Sequence, residues 1–304
     1  MSRNTTATLL DSVRLYTRLP PDITDAQILG IATDEMLGNI VPLVKSVNAD
    51  YFKAVKDYTI STSNPQYTIP HQAIGSTISE AYLVNSAGEE RPLPVVDQRS
   101  VAGWANTGSS GPAVMYFRNN KIRLNPIPTD ATTLRVIYYI RPGDLVLETA
   151  ARQLTVVGTT TATISSALGT LTTGVPFDIV VNTAPFPHAG LAYTATVASA
   201  ALSAISPTLD TDVAVGDWVA LAGQSPIPQI PYELHPCLAM RTASKIMYML
   251  GDRSGSSLME GAAAKMEGNI VPLITPRADG MAQKIVDPDG SWSSLRNGWF
   301  SRGF

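Results

Sequence analysis

Few side chains in this sequence are equipped for chemistry, and they are scattered. His71, His188, His235 and Cys237 are the only imidazole and thiol groups among 304 residues. An imidazole can serve as a general base or a metal ligand, and a thiolate can attack a carbonyl, but the spacing supports neither role. His235 and Cys237 are two residues apart, which puts them on different faces of a helix. His71 (IPHQAIG) and His188 (PFPHAGL) stand in turn-like surroundings, and His235 stands in the first turn of an expected helix. All three read as surface or structural histidines. Cys237, beside Leu234 and Leu238, reads as a small core residue. No HExxH, GxSxG, GxGxxG or GxxxxGK pattern occurs. Asp210-Thr211-Asp212 and Asp287-Pro288-Asp289-Gly290 lack the spacing and terminal Glu of a calcium loop and read as turns. No catalytic, cofactor-binding or metal-binding residue is assigned, and no cofactor is expected.

Two groups suit binding instead. Arg118, Lys121 and Arg123 flank an Asn119-Asn120 turn, with Arg135 and Arg141 on the next expected strand. Three cations at a hairpin tip read as a DNA-facing surface or as a charged edge that keeps a sheet from pairing further. Repetition around a ring would turn the cluster into a belt. The second group is the C-terminal stretch DPDGSWSSLRNGWFSRGF, with Trp292, Leu295, Arg296, Trp299, Phe300 and Phe304. Gly/Ser-rich chain does not fold alone, while Trp and Arg are the usual anchors of interfaces. The stretch reads as an extended arm docking on another subunit or partner; folding back on its own body is the other reading.

Composition points the same way. There are 22 Lys+Arg against 25 Asp+Glu, for a net charge of −3, which excludes a generally basic nucleic-acid binder. Charged residues make up 15%, against about 25% in an average soluble domain, so much of the surface is uncharged or covered by partners. The 44% apolar fraction is enough for a core. One cysteine excludes an intramolecular disulfide framework. Asp11, Arg14 and Arg18 interrupt the N-terminal apolar residues, so no signal peptide is expected, and no apolar run suits a membrane span. Between Gln153 and Met240 there is no Lys or Arg, where an even spread of 22 would place about six, and there are five acids. That block reads as an acidic inserted domain within a slightly basic protein.

The elements that position these groups divide the chain into five parts. Residues 1–50 read as helical, with Leu9, Leu10, Val13 and Tyr16 on helical spacing. Thr24 to Gln27 forms a capping box, Ile28, Ile31, Ala32 and Leu37 line one face, and Gly38 and Pro42 are expected to break the helix. Residues 51–150 read as β structure: strands around Tyr58–Ile60, Gln66–Ile69 and Ala81–Val84, a hairpin from Met115 to Leu124, and a strong strand from Leu134 to Ile140. Residues 151–228 read as a small β-barrel or sandwich of short Thr/Val/Ile strands, closing with a strand pair over Val213–Leu221 that turns at Gly216-Asp217. Residues 229–284 read as helical again, from Glu233 to Gly251 and then from a Ser257–Glu260 capping box through Leu258, Ala262 and Met266. Residues 285–304 form the arm. The hexapeptide GNIVPL occurs at 38–43 and at 268–273. It reads as a duplicated helical unit whose copies pack together, or as two similar helix exits. The fold class is α+β: a helical bundle built from both chain ends, a β region, an inserted barrel and an extended arm.

Several segments resemble head-to-tail adaptor (connector) proteins of tailed bacteriophages. They are EMLGNIVPLV (35–44), DYTISTSNPQYTIPHQAIGSTISEAYLVNSAGEERPLP (57–94), LRVIYYIRPGDLV (134–146), VGDWVALAGQSPIPQIPYELHPCLAMRTASKIMYMLGD (215–252) and ITPRADG (274–280). The likeness lies in the order of pieces and covers most of the chain, with 153–213 contributing least. It implies a non-enzymatic virion protein, made in the host cytoplasm and placed at the head–tail junction. Such a protein forms a twelve-fold ring with itself, contacts the portal through a C-terminal arm, meets a downstream tail or nozzle protein, and passes genomic DNA without sequence specificity or membrane contact. A tail-tube, nozzle or baseplate protein, or a carbohydrate-binding or hydrolytic β protein with 153–228 as ligand module, are the alternative readings.

Overall fold

Capping chemistry sets where the first helices begin. The computed structural model describes residues 5–17, 23–61, 66–70, 72–101, 113–127, 131–182 and 190–275; residues 1–274 form one unit and 275–304 a second. Helix α1 (Thr6–Thr17) buries Leu9, Leu10 and Val13. Helix α2 (Asp25–Glu35) opens on the expected capping box, in which the Gln27 amide donates to the Thr24 hydroxyl and the Thr24 amide donates to the Gln27 side chain. Gly38 and Pro42 do not break it. Met36–Ile40 form a π turn in which the Val41 N–H donates to the Met36 carbonyl, and α3 (Val41–Val47) follows without a gap. Proline lacks an N–H and its ring collides with the carbonyl four residues back. A widened turn just before Pro42 is one way a helix absorbs that conflict.

The chain then forms two sheets packed face to face. Strands β1 (Lys53–Thr59), β2 (Gln66–Thr68), β3 (Ala73–Asn85), β4 (Glu90–Pro92), β5 (Val114–Arg118), β6 (Lys121–Asn125) and β7 (Ala131–Ile140) follow in sequence. One sheet has the order β1-β7-β3-β4, the other β2-β6-β5. Tyr67, Met115, Ile122 and Leu124 of the second meet Ala81, Leu83, Leu134 and Val136 of the first in a buried core. Each large aliphatic side chain removed from water there contributes roughly 1.5–3 kcal/mol. Strand β7 continues past this core, so Tyr138 and Ile140 join the helices' own core.

A six-stranded closed barrel follows. Strand β8 (Asp144–Leu145) leads to β9 (Arg152–Val157), β10 (Ala162–Ile164), β11 (Phe177–Val180), β12 (Gly190–Ala198), β13 (Ala201–Ser206) and β14 (Trp218–Leu221), which close in the order β10-β13-β12-β11-β14-β9. Closure removes free sheet edges. Strand β15 (Gln224–Ser225) returns parallel to β8, so the strands leading into and out of the barrel lie side by side. Of the strand pair expected over Val213–Leu221, the turn at Gly216 and the second strand, β14, are present, but Val213–Val215 form no strand. The Asp217 carboxylate, buried, accepts from the amides of Asn182 at 2.9 Å and Ala214 at 2.8 Å, replacing ladder partners with a side chain.

The C-terminal helices differ from expectation in register. Helix α4 (His235–Met249) buries Leu238, Ala243 and Ile246 and is packed on by α1, α2 and α5 (Arg253–Ile274). The chain turns at Gly251, whose φ of +87° suits glycine; Leu250, expected inside, is half exposed. Helix α5 begins four residues before the expected cap. Asp252 Oδ1 accepts from the Gly255 amide and the Ser254 hydroxyl, so the Ser257–Glu260 pattern lies within the helix. Ser256, Ala263 and Ile270 face inward, whereas Leu258 is 71% exposed. The first GNIVPL copy is not a helix exit, since α3 runs on to Val47, whereas the second forms the last turns of α5, which ends at Ile274. Ile40 and Ile270, equivalent in the repeat, enter the same core, and the Asn48 side chain donates to the Ile274 carbonyl at 3.3 Å.

Candidate interaction site

The β5–β6 hairpin carries the three cations that the sequence singles out. Asn119 and Asn120 have φ of +52° and +56°, the two left-handed positions of a tight hairpin turn, which Asn tolerates and β-branched residues do not. Asn120→Val is therefore expected to cost roughly 1–2 kcal/mol, read as a lower denaturation midpoint, with Asn120→Gly close to neutral. The register pairs Arg118 with Lys121 and Tyr116 with Arg123, so all three cations share one face. Phe117, Ile122, Met115 and Leu124 point the other way, into or beside the sandwich core. Arg118 and Lys121 are exposed and Arg123 is half buried. Among the described residues no carboxylate pairs with any of the three.

Arg135 and Arg141 do not join that cluster. Arg135 donates to both Asp57 oxygens, at 2.8 and 2.9 Å, and to Glu90. The bond to Asp57 holds its guanidinium above the ordinary range. Arg141 lies 3.7 Å from Asp144. What the sequence did not reveal is that Arg135 belongs to a separate charged lattice on the outward face of the first sheet. Lys53 bonds Asp50 at 2.9 Å and Glu80 at 3.2 Å, and the Tyr82 hydroxyl donates to Glu80 at 2.6 Å. These bonds, Tyr82 first and Lys53 second, hold the Glu80 carboxyl below its ordinary range. Two cations face four carboxylates, a balance of −2. The alternation of these residues along each strand was a readable signal; their meeting depended on strand order.

The groups scanned for catalysis occupy structural positions where they are described. His235 is buried, with Nε2 3.4 Å from the Ile230 carbonyl. Cys237 is buried and its thiol is pushed up to about 11, mainly by burial and then by Glu267, which leaves little thiolate at neutral pH. No group of three or more metal-ligating side chains occurs among the described residues. A polar cleft between α2, α4 and α5 is lined by Glu35, Arg241, Lys245 and Glu260. Its charges are largely spent, Arg241 on both Glu267 oxygens and Lys245 on Glu35 at 3.9 Å. His71, His188, Asp287–Gly290 and the arm residues Trp292, Leu295, Arg296, Trp299, Phe300 and Phe304 lie outside the described residues. No described helix is long and apolar enough to cross a membrane.

Comparison with known proteins adds the decisive finding. No curated protein matches the chain. The family model described as SU10 adaptor protein matches residues 4–164, more than half of the 304. The matched span holds α1 to α3, both sheets of the sandwich and the first two barrel strands. It contains the segments 35–44, 57–94 and 134–146 that carry the adaptor resemblance, while 215–252 and 274–280 lie beyond it. The chain belongs to the SU10 adaptor protein family, a family of structural adaptors of bacteriophages.

Proposed function

We propose that this protein is a head-to-tail adaptor that assembles as a twelve-fold ring below the portal, joins capsid to tail and passes the genome. The family match over residues 4–164 carries the reading. The arm residues Trp292, Leu295, Arg296, Trp299, Phe300 and Phe304 grip the portal, and the far side of the ring receives a downstream tail or nozzle protein. The work is mechanical, not catalytic. Its buried thiol and histidine fit that, as does a low overall charge, which lets DNA slide because strong phosphate neutralisation would retain it. A ring buries two surfaces of every subunit, and interface cores are poor in charge, in keeping with 15% charged residues.

The test is the mass of the protein alone and mixed with assembled portal. A discrete complex with one adaptor copy per portal subunit supports the reading. Stable attachment to tail-tube or nozzle protein with none to portal would place the chain elsewhere in the tail.

A further inference from the structure

The sandwich carries opposite charge on its two outward faces. The two sheets share one core, so their outer faces look in opposite directions. One outer face bears Arg118, Lys121 and Arg123 with no carboxylate paired to them among the described residues. The other bears Asp57, Glu80 and Glu90, held in place by Lys53 and Arg135, with the neighbouring Asp50 and with Lys45 over the Tyr139 ring at one end, a net charge of −1. Side chains on this second face remain open to water, with Glu80 41% and Glu90 43% exposed. The cross-strand register places Ile137 between Val55 and Glu80, and Tyr82 beside Arg135. Val55 is 57% exposed, and Ile137 and Tyr82 are half buried. An uncovered sheet face of apolar and aromatic residues framed by fixed charges has the anatomy of a protein interface.

We infer that the basic hairpin of one copy docks on the acidic sheet face of the next copy, so that the sandwich supplies the contact that closes the ring. This rests on the ring reading above and names its subunit interface. A ring is built from heterologous contacts, which need two different and complementary patches on opposite sides of each subunit. The two faces of the sandwich meet that requirement. Phosphate is the other natural partner for three cations. A carboxylate-bearing neighbour fits better because the opposite face of every copy offers fixed carboxylates open to water, while Val114 and Tyr116, on the cationic side of the hairpin, are buried with Val96 and hold the cations in place. Opposite charges also steer the patches together and fix register more than they add affinity.

The experiment uses full-length chains, assembled on portal and weighed by native mass spectrometry. Arg118→Glu/Lys121→Glu changes two exposed side chains, and Glu80→Lys/Glu90→Lys reverses the opposing face. Each double variant alone is expected to lose at least tenfold in ring yield while keeping its melting transition. An equal mixture of the two is expected to regain rings of 1:1 composition, because each reversed hairpin then meets a reversed sheet. If Glu80→Lys/Glu90→Lys melts early, Lys121→Cys/Glu90→Cys in one chain replaces it. A short bis-maleimide should then give a ladder of covalent multimers, with the buried Cys237 taking no part. Wild-type rings accompanied by unimpaired Arg118→Glu/Lys121→Glu rings overturn the pairing and leave the ring reading standing. Loss of duplex-DNA retardation in that variant with rings intact assigns the hairpin to phosphate and also overturns it. A wild type that never forms rings on portal overturns the ring reading itself.

Discussion

Removal of residues 286–304 is expected to abolish binding to the portal while leaving the melting transition of the remaining chain unchanged. Residues 1–274 form a unit by themselves, and each buried core among the described residues is built within that unit. The truncation removes no residue of those cores. What it removes is two Trp, two Phe and Arg296 with their Gly/Ser spacing. Aromatic and Arg anchors at interface centres commonly cost about 2 kcal/mol or more each when cut back to Ala. About 6 kcal/mol from three of them is more than four decades of affinity. Trp299→Ala alone should weaken portal binding by about 30-fold. Biolayer interferometry on immobilised portal reads both. A truncated chain that binds with wild-type affinity would show that the arm is not the docking element, and the portal contact would then have to lie within residues 1–285.

Local signals in the sequence translated well where they were self-contained. The Thr24–Gln27 capping box, the Asn119-Asn120 turn, the strong strand ending at Ile140 and the Gly251 helix stop each depend on a few adjacent residues, and each stands where the pattern put it. A small barrel or sandwich was legible from short Thr/Val/Ile strands in a block free of Lys and Arg from Gln153 on, and the strands close as a barrel. Signals that depended on tertiary partners misled. Ser257–Glu260 has the letters of a cap, yet Asp252 captured the helix start and left Leu258 in water. Pro42 has the letters of a break, yet a π turn carried the helix through. Arg135 looked like a neighbour of the hairpin cations because it is near them in sequence. Strand order placed it between β1 and β3, facing Asp57 and Glu90. The acidic sheet face escaped notice for the same reason, since its four carboxylates come from Asp50, Asp57, Glu80 and Glu90 on separate segments.

Asp178 is the other residue that sequence reading undervalued, and its substitution should have the largest effect on stability. It stands in FDIV, within a strand whose four residues are all buried. Its Oδ2 accepts from the Gln72 side-chain amide and from the Gly223 amide, each at 2.7 Å, and its Oδ1 accepts from the Ala192 amide at 2.7 Å. One carboxylate thereby joins the segment leading into β3, the barrel wall and the chain leaving the barrel. Nearby bonds hold the same junction: the Gly143 amide donates to Gln229 at 2.6 Å, the Leu145 amide to Thr33 at 3.0 Å, and the Thr6 hydroxyl to the Val146 carbonyl at 2.8 Å. Hydrogen bonds to a charged acceptor contribute roughly 1.5–3 kcal/mol each, and an orphaned buried donor costs about 1–3 kcal/mol. Asp178→Ala strands three donors at once, so a loss of about 4 kcal/mol is expected, or roughly 10 °C in melting temperature at about 2–4 °C per kcal/mol for a chain of this size. Asp178→Asn should lose less, about 2 kcal/mol, because its oxygen can still accept from Gln72 and Gly223 while its NH2 faces the Ala192 amide. Asp212→Ala, on an exposed barrel turn, should stay within about 0.5 kcal/mol. Calorimetry of the three variants separates a clamp from a mere barrel residue. If Asp178→Ala melted within a degree of wild type, the carboxylate could not be what ties the barrel wall to the segment leading into β3.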